Sequence, residues 1–398
     1  MRVLIVDECM APGGVETLRL NLVPELAKLC ESVVWVLPLP YGQPLRERIL
    51  ELKIPNLVTE NLLWPRGNIH QLQNAALRRL SGISILNSPV RRLMRKSMDL
   101  RIRAVAKKHR SDCCLSTFVF SQPPPASGLP LAGFVCDVNP ILPEWIRDNM
   151  LRWVVASQAI FGISEFTSQA LRLLAPDYAA KIHAVPIAPP PFVRFSPSGP
   201  ASQSDFYFPA AANEHKGHLT LFQACLALAR RGTAFKLVLS GPGTENFSTG
   251  RPFEKPALEE ARDFLERNRA ELNGCITIAG DVTKAEVDAL YGSTRCVVLP
   301  SRYEGFGLPL VEALQRGKDV LCSDIPPFRE QLARYDVFDR VQLIPLGDAV
   351  QLADAMEQVL TKRPVPVRDM GEINQRLARW TWADVAARCY EYLQAISR

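Results

Sequence analysis

Glu304 and Glu312 stand eight positions apart in the stretch "PSRYEGFGLPLVEALQRG", residues 300–317, on either side of a glycine-rich turn. The preceding run "CVVLP" has the continuous apolar character of a buried strand, and Pro309 occupies the kind of position proline favours at the start of a helix that Gly317 then ends. The backbone amides of Phe306, Gly307 and Leu308 then face outward at a helix N-terminus, where free N–H groups and the helix dipole together favour a phosphate. Glu312 is expected in the first turn of that helix and Glu304 on the loop before it. Carboxylates beside an anion site can accept hydrogen bonds from sugar hydroxyls. The plainer alternative is that Glu312 complements the helix dipole and Glu304 is a solvated loop residue.

Other groups could join them. The loop "FPAAANEHKGH" contains Lys216, a point charge suited to a diphosphate or alternatively a common helix-start lysine, with His215 and His218 read as structural. "ECMAPGGVETL" supplies Gly13 and Gly14 before a helix, a pattern that by itself often serves only the turn. "GFVCDVNPILPE" ends a strand with Cys136 and Asp137. In "ISEFTSQALRLL", Ser164 reads as an N-cap and Glu165 as a residue near the cleft mouth, a segment for capping rather than catalysis.

Strands and helices in alternation must position these residues. The apolar runs "RVLIV", "SVVWVLP", "DCCLST", "LAGFVCD", "AIFGIS" and "KIHAVPI" predict one parallel sheet covered by helices. The Pro- and Ser-rich 191–203 reads as a linker. Beyond it "DFYFP", "FKLVLSG", "CITIAG", "CVVLP", "DVLCSD" and "VQLIP" predict a second, six-stranded doubly wound sheet. The expected domains are 1–190, 204–378 and a helix over 379–398, in which Val385, Cys389 and Leu393 share one face. Two such domains joined by a linker invite a ligand in a cleft between them.

Composition narrows the classes. A chain of 398 residues is long enough for two cores, and no apolar stretch reaches the length of a membrane span. With no secretory leader in "MRVLIVDECM", a cytoplasmic location is expected. The ten cysteines form no C-x-x-C pair, which argues against a zinc knuckle or a disulfide framework. Charge is uneven: 64–110 carries a net +11 against +6 for the whole chain. Within it "PVRRLMRKSMDLRIRAVAKKHR" sets Val90, Leu93, Met94, Met98, Ile102 and Val105 at helical spacing among arginines. That pattern fits either a core-packed helix with a solvated basic face or a patch for anionic membrane at the inner face. No nucleic-acid motif accompanies the charge.

The run "GDVTKAEVDALYGSTRCVVLPSRYEGFGLPLVEALQRG" followed by "VLCSDIPPFREQL" resembles the donor-binding half of the retaining glycosyltransferases of family 4, with its E-x7-E motif at Glu304 and Glu312. The resemblance is weaker over "ISEFTSQALRLL" and the glycine loop, and "WTWADVAARCYEYL" resembles the family's last helix, which crosses back to the first domain. It implies the GT-B fold, two Rossmann-like domains facing across a cleft. It also implies a nucleotide-sugar donor, GDP-mannose first and a UDP-sugar second, with a glycan or lipid-linked acceptor and no metal or other cofactor. Glu304 would lie beside the donor sugar and Glu312 at the ribose. The amides of Phe306, Gly307 and Leu308, with Gly13 and Gly14, would meet the sugar and diphosphate, and Lys216 the leaving diphosphate. Two positions depart from the family's pattern. Ala211 stands where many members have an arginine, and Cys136 where many have a histidine, leaving Asp137 to orient acceptor or sugar or to cap its loop. The rival readings are a GT-B epimerase or phosphorylase, and a non-catalytic sugar-nucleotide-binding scaffold.

Overall fold

The computed structural model describes residues 1–7, 13–39, 43–63, 89–120, 122–191, 204–361 and 370–398. Two compact units divide it: Met1–Ala188 with Thr381–Arg398, and Pro189–Trp380. The division falls at the leading edge of the expected 191–203 linker, most of which lies outside the described residues.

Among the described residues, the first unit holds seven parallel strands: β1 (Arg2–Val6), β2 (Ser32–Leu39), β3 (Leu57–Leu63), β4 (Cys113–Ser116), β5 (Leu131–Val135), β6 (Ala159–Gly162) and β7 (Ile182–Ala184). Their order is β3-β2-β1-β4-β5-β6-β7. The central strands are apolar throughout because helices cover both faces; Val3, Leu4 and Ile5 of β1 are wholly buried. The sequence reading anticipated six of these strands and missed β3. Among the described residues it pairs only with β2; it carries Thr59, Glu60 and Asn61, and leaves Val58 exposed. An edge strand needs no continuous apolar run, so its sequence lacks the pattern that marks the inner ones.

Among the described residues, the second unit holds six parallel strands: β8 (Ser204–Pro209), β9 (Leu237–Ser240), β10 (Ile276–Gly280), β11 (Thr294–Leu299), β12 (Asp319–Ser323) and β13 (Val341–Ile344). All six correspond to the expected segments. The order β10-β9-β8-β11-β12-β13 reverses direction between β8 and β11. In open parallel sheets the loops beyond the carboxyl ends of strands at such a reversal form the ligand site.

The last helix, Trp382–Ile396, begins with a capping box between Thr381 and Asp384 and packs on the Gly14–Leu29 helix of the first unit. Val385, Cys389 and Leu393 are buried along it, the face that their spacing predicts. Tyr392 stacks on His183 of β7 with ring centroids 4.0 Å apart.

The basic segment resolves into one described helix, Pro89–Lys108; residues 64–88 lie outside the described residues. Met98, Ile102 and Ala106 face the core, while part of the charge is tied down locally. Arg95 pairs with Asp99 at 3.3 Å and donates to the carbonyls of Pro123 and Pro124, Arg103 donates to that of Ala126, and Lys108 pairs with Glu60. No described helix is long and apolar enough to cross a membrane.

Candidate active site

The reversal between β8 and β11 brings two loops together. After β8 the chain makes a short 3-10 turn, Glu214–Lys216, and then Gly217, whose φ of 78° is a left-handed conformation that starts the His218–Arg230 helix. A Cβ at Gly217 would overlap the carbonyl oxygen of Pro300, at the end of β11, so only glycine allows this approach. The backbone N–H of Arg302 also donates to the His215 carbonyl at 2.6 Å. The two loops are thereby locked side by side.

Across this contact the Lys216 ammonium meets both carboxylate oxygens of Glu304, at 2.8 and 2.9 Å. Ser301 donates its hydroxyl to Glu304 Oε1 at 2.7 Å. Glu304 is buried, with 9% of its surface exposed, which overturns the solvated-loop alternative. Burial opposes its ionisation, but Lys216 and then His215 and Ser301 outweigh it, so the carboxyl stays below its ordinary range. The result is a charged pair in a largely desolvated loop pair, held without an arginine at Ala211.

Gly307 caps the Leu308–Gln315 helix at φ 91°, with no side chain capping the helix start. A Cβ there would lie 2.5 Å from the Phe328 ring. Phe306 is buried, and its carbonyl accepts from Gln331 Nε2. Pro309 sits in the first turn, as its sequence position predicts. Glu312 does not: the helix opens at Leu308, so Glu312 is its fifth residue and lies in the second turn. That depth lets it meet Tyr291, whose hydroxyl donates to Glu312 Oε2 at 3.3 Å. Burial raises the Glu312 carboxyl above its usual value, against the opposing pull of Arg316 and Tyr291.

In the first unit Gly13 adopts φ 85° and caps the Gly14–Leu29 helix without a side-chain hydrogen bond. Both glycines are exposed. Residues 8–12 of that loop lie outside the described residues. Asp137 follows β5 and is half-buried. Burial pushes the adjoining Cys136 thiol up to about 12, so it remains protonated near neutral pH. Ser164 caps its helix as expected, accepting from the Thr167 amide at 3.0 Å. His218 is buried among Phe208, Phe222 and Phe247, a structural place.

Sequence reasoning passed over a second polar cluster, at the reversal between β1 and β4. Asp7, just after β1, accepts from the Thr117 amide at 2.9 Å, the Thr117 hydroxyl at 2.7 Å and the Trp35 indole at 3.0 Å. Arg19, itself 1% exposed, reaches the same carboxylate at 3.3 Å and ties the glycine-capped helix to the sheet. A hint lay in "RVLIVD", where a carboxylate directly follows a strand buried on both faces. The roles of Ser301 and Tyr291 had no comparable mark, because a loop serine and a helical tyrosine are ordinary in sequence.

Residues 193–376 match the family model for glycosyl transferases group 1. Together with two doubly wound parallel sheets, this is the composition of the GT-B class. Among curated relatives, a phosphatidyl-myo-inositol mannosyltransferase of Mycolicibacterium smegmatis is 28% identical over 189 residues, 46% of each chain. O-antigen chain mannosyltransferase B of Escherichia coli is 40% identical over 67 residues, 17% of each chain. The matched stretches thus span less than half the length of these relatives. Anabaena HepE, solved in complex with UDP and glucose, shares the fold with a TM-score of 0.67 at 13% identity, over 99% of this chain and all of the other.

Proposed function

We propose that the protein is a nucleotide-sugar-dependent hexosyltransferase that acts on a glycan or lipid-linked glycan in surface polysaccharide or glycoconjugate synthesis. The observation that carries this reading is the buried Lys216–Glu304 pair at the β8/β11 reversal of a glycosyl transferases group 1 domain. Mannose is the favoured sugar, supported by the mannosyltransferase names of the relatives, with GDP-mannose as first donor and a UDP-sugar as second.

In the proposed reaction the bond from the anomeric carbon to the diphosphate breaks and a bond to the acceptor hydroxyl forms on the same face. The acceptor proton passes to the departing diphosphate. Lys216 stabilises the negative charge that develops there, and the uncapped start of the Leu308–Gln315 helix adds its dipole. Glu304 accepts from hydroxyls of the transferred sugar and Glu312 from the ribose. Gly13 and Gly14 let the backbone approach the donor, and Asp137 orients the acceptor. No metal is required on this reading, so transfer should survive EDTA.

The exposed residues of the Pro89–Lys108 helix, Lys96, Arg101, Arg103 and Lys107 beside exposed Leu100, support a peripheral contact with anionic membrane. Sedimentation with phosphatidylserine vesicles tests it; binding that persists at high salt and with neutral lipid would contradict it.

The functional reading is tested by incubating the protein with a panel of GDP-, UDP- and dTDP-sugars and a lipid-linked glycan acceptor. Elongated acceptor with the donor's anomeric configuration is expected. Release of a sugar phosphate or an epimerised sugar would favour the phosphorylase or epimerase alternative, and binding without any product a scaffold.

A further inference from the structure

Tyr291 belongs to the Lys284–Ser293 helix that leads into β11, and it is wholly buried. Its hydroxyl has one recorded partner among the described residues, Oε2 of Glu312 at 3.3 Å. The ring is fixed on two sides. Arg316 lies over its face, 4.6 Å from the centroid, and donates to the Glu312 backbone carbonyl at 2.9 Å while pairing with Asp288. Tyr207 of β8 meets its edge at 5.0 Å and 89°, and the Tyr207 hydroxyl is bonded to Ser240 of β9 at 2.6 Å. Groups from four elements therefore decide where one oxygen of the Glu312 carboxylate sits. Oε1 has no hydrogen bond recorded among the described residues. A carboxylate offers about four lone-pair sites, so one bond from Tyr291 leaves room for both hydroxyls of a vicinal diol.

We infer that Tyr291 is a positioning residue that sets selectivity for a ribonucleotide donor by fixing the Glu312 carboxylate in the orientation that accepts the ribose diol. This rests on the glycosyltransferase reading and extends it to the choice between ribose and 2′-deoxyribose. The buried ring alone could be supplied by phenylalanine; the hydroxyl is what reaches the carboxylate.

The test uses the full chain and measures affinity by calorimetry for GDP, UDP and their 2′-deoxy analogues. The wild type should prefer the ribonucleotide of its own base. Tyr291→Phe should lose about five- to tenfold in ribonucleotide affinity, the scale of one ordinary hydrogen bond, with the deoxy analogue changed by less than about twofold. Glu312→Ala should remove the preference, and adding Tyr291→Phe to it should cost nothing more. A wild type that binds none of these nucleotides overturns the functional reading and this inference with it. A wild type that prefers ribose, with the preference intact in Tyr291→Phe or with fully additive effects in the double variant, overturns this inference alone.

Discussion

The ammonium of Lys216 sits 2.8 and 2.9 Å from the two oxygens of Glu304, so the cation expected at a diphosphate and the carboxylate expected at a sugar neutralise each other. A donor that engages both must exchange part of this pairing for its own phosphates and hydroxyls. Only the part of the new contacts that strengthens as the bond to the diphosphate breaks would speed the proposed transfer.

Replacing Lys216 by Met should therefore act twice. It leaves the buried Glu304 with Ser301 as its recorded partner, at a cost of about 3 kcal/mol in unfolding free energy, the low end for a broken buried pair because both side chains keep some exposure. It should also lower the transfer rate about 100- to 1000-fold, as loss of one charge-stabilising donor does elsewhere. Urea unfolding and single-turnover transfer separate the two effects. A variant with wild-type rate would remove Lys216 from the site.

Gly217→Ala changes no charged group, yet it should disrupt the same pair. The new Cβ would overlap the Pro300 carbonyl, and φ 78° is itself strained for alanine. Destabilisation above about 2 kcal/mol is expected, with transfer lost alongside it. Wild-type stability in this variant would show that the two loops need no close contact.

Acid stability should report on the same loop. Burial, followed by Lys216, pushes His215 down to about 4, and burial with Lys216 pushes His218 down to about 3. In the unfolded chain both titrate near about 6.5. Below that value the unfolded state takes up protons that the folded state refuses. Their contribution is thus complete above about pH 6.5 and declines as the pH falls towards the folded values, by at most about 1.4 kcal/mol per pH unit for each histidine. Glu304 adds a separate loss at lower pH, because its lowered value means its stabilisation is present above the ordinary carboxyl range and disappears as the pH drops through the folded value. Urea midpoints measured across this range should fall with acidification, and His215→Gln should make the decline shallower. An unchanged slope would mean that His215 is not held neutral.

The second sheet was legible almost entirely, because its strands are short continuous apolar runs separated by helical segments, as burial on both faces demands. Strand β3 was not, since an edge strand carrying Thr59, Glu60 and Asn61 lacks that pattern. The types and spacing of Glu304, Glu312 and Lys216 pointed to an anion and hydroxyl site, but their partners did not follow from sequence. Lys216 and Glu304 are 88 positions apart and meet because strand order reverses between β8 and β11. The depth of Glu312 was misjudged because the helix opens at Leu308, with its cap at Gly307, which puts the carboxylate one residue further in, into the second turn, at Tyr291. The Asp7–Arg19 pair stayed hidden for the same reason as the Lys216 contact: tertiary pairing across a sheet reversal leaves only a faint local trace.

The most direct test of the account is Glu304→Gln assayed beside the wild type for transfer from the best donor and for nucleoside diphosphate affinity. Glutamine keeps the shape and releases Lys216 from its charged partner. The account predicts transfer reduced at least about 100-fold, on the scale of a lost site group, with diphosphate affinity equal to or tighter than wild type. Undiminished transfer by Glu304→Gln would contradict it.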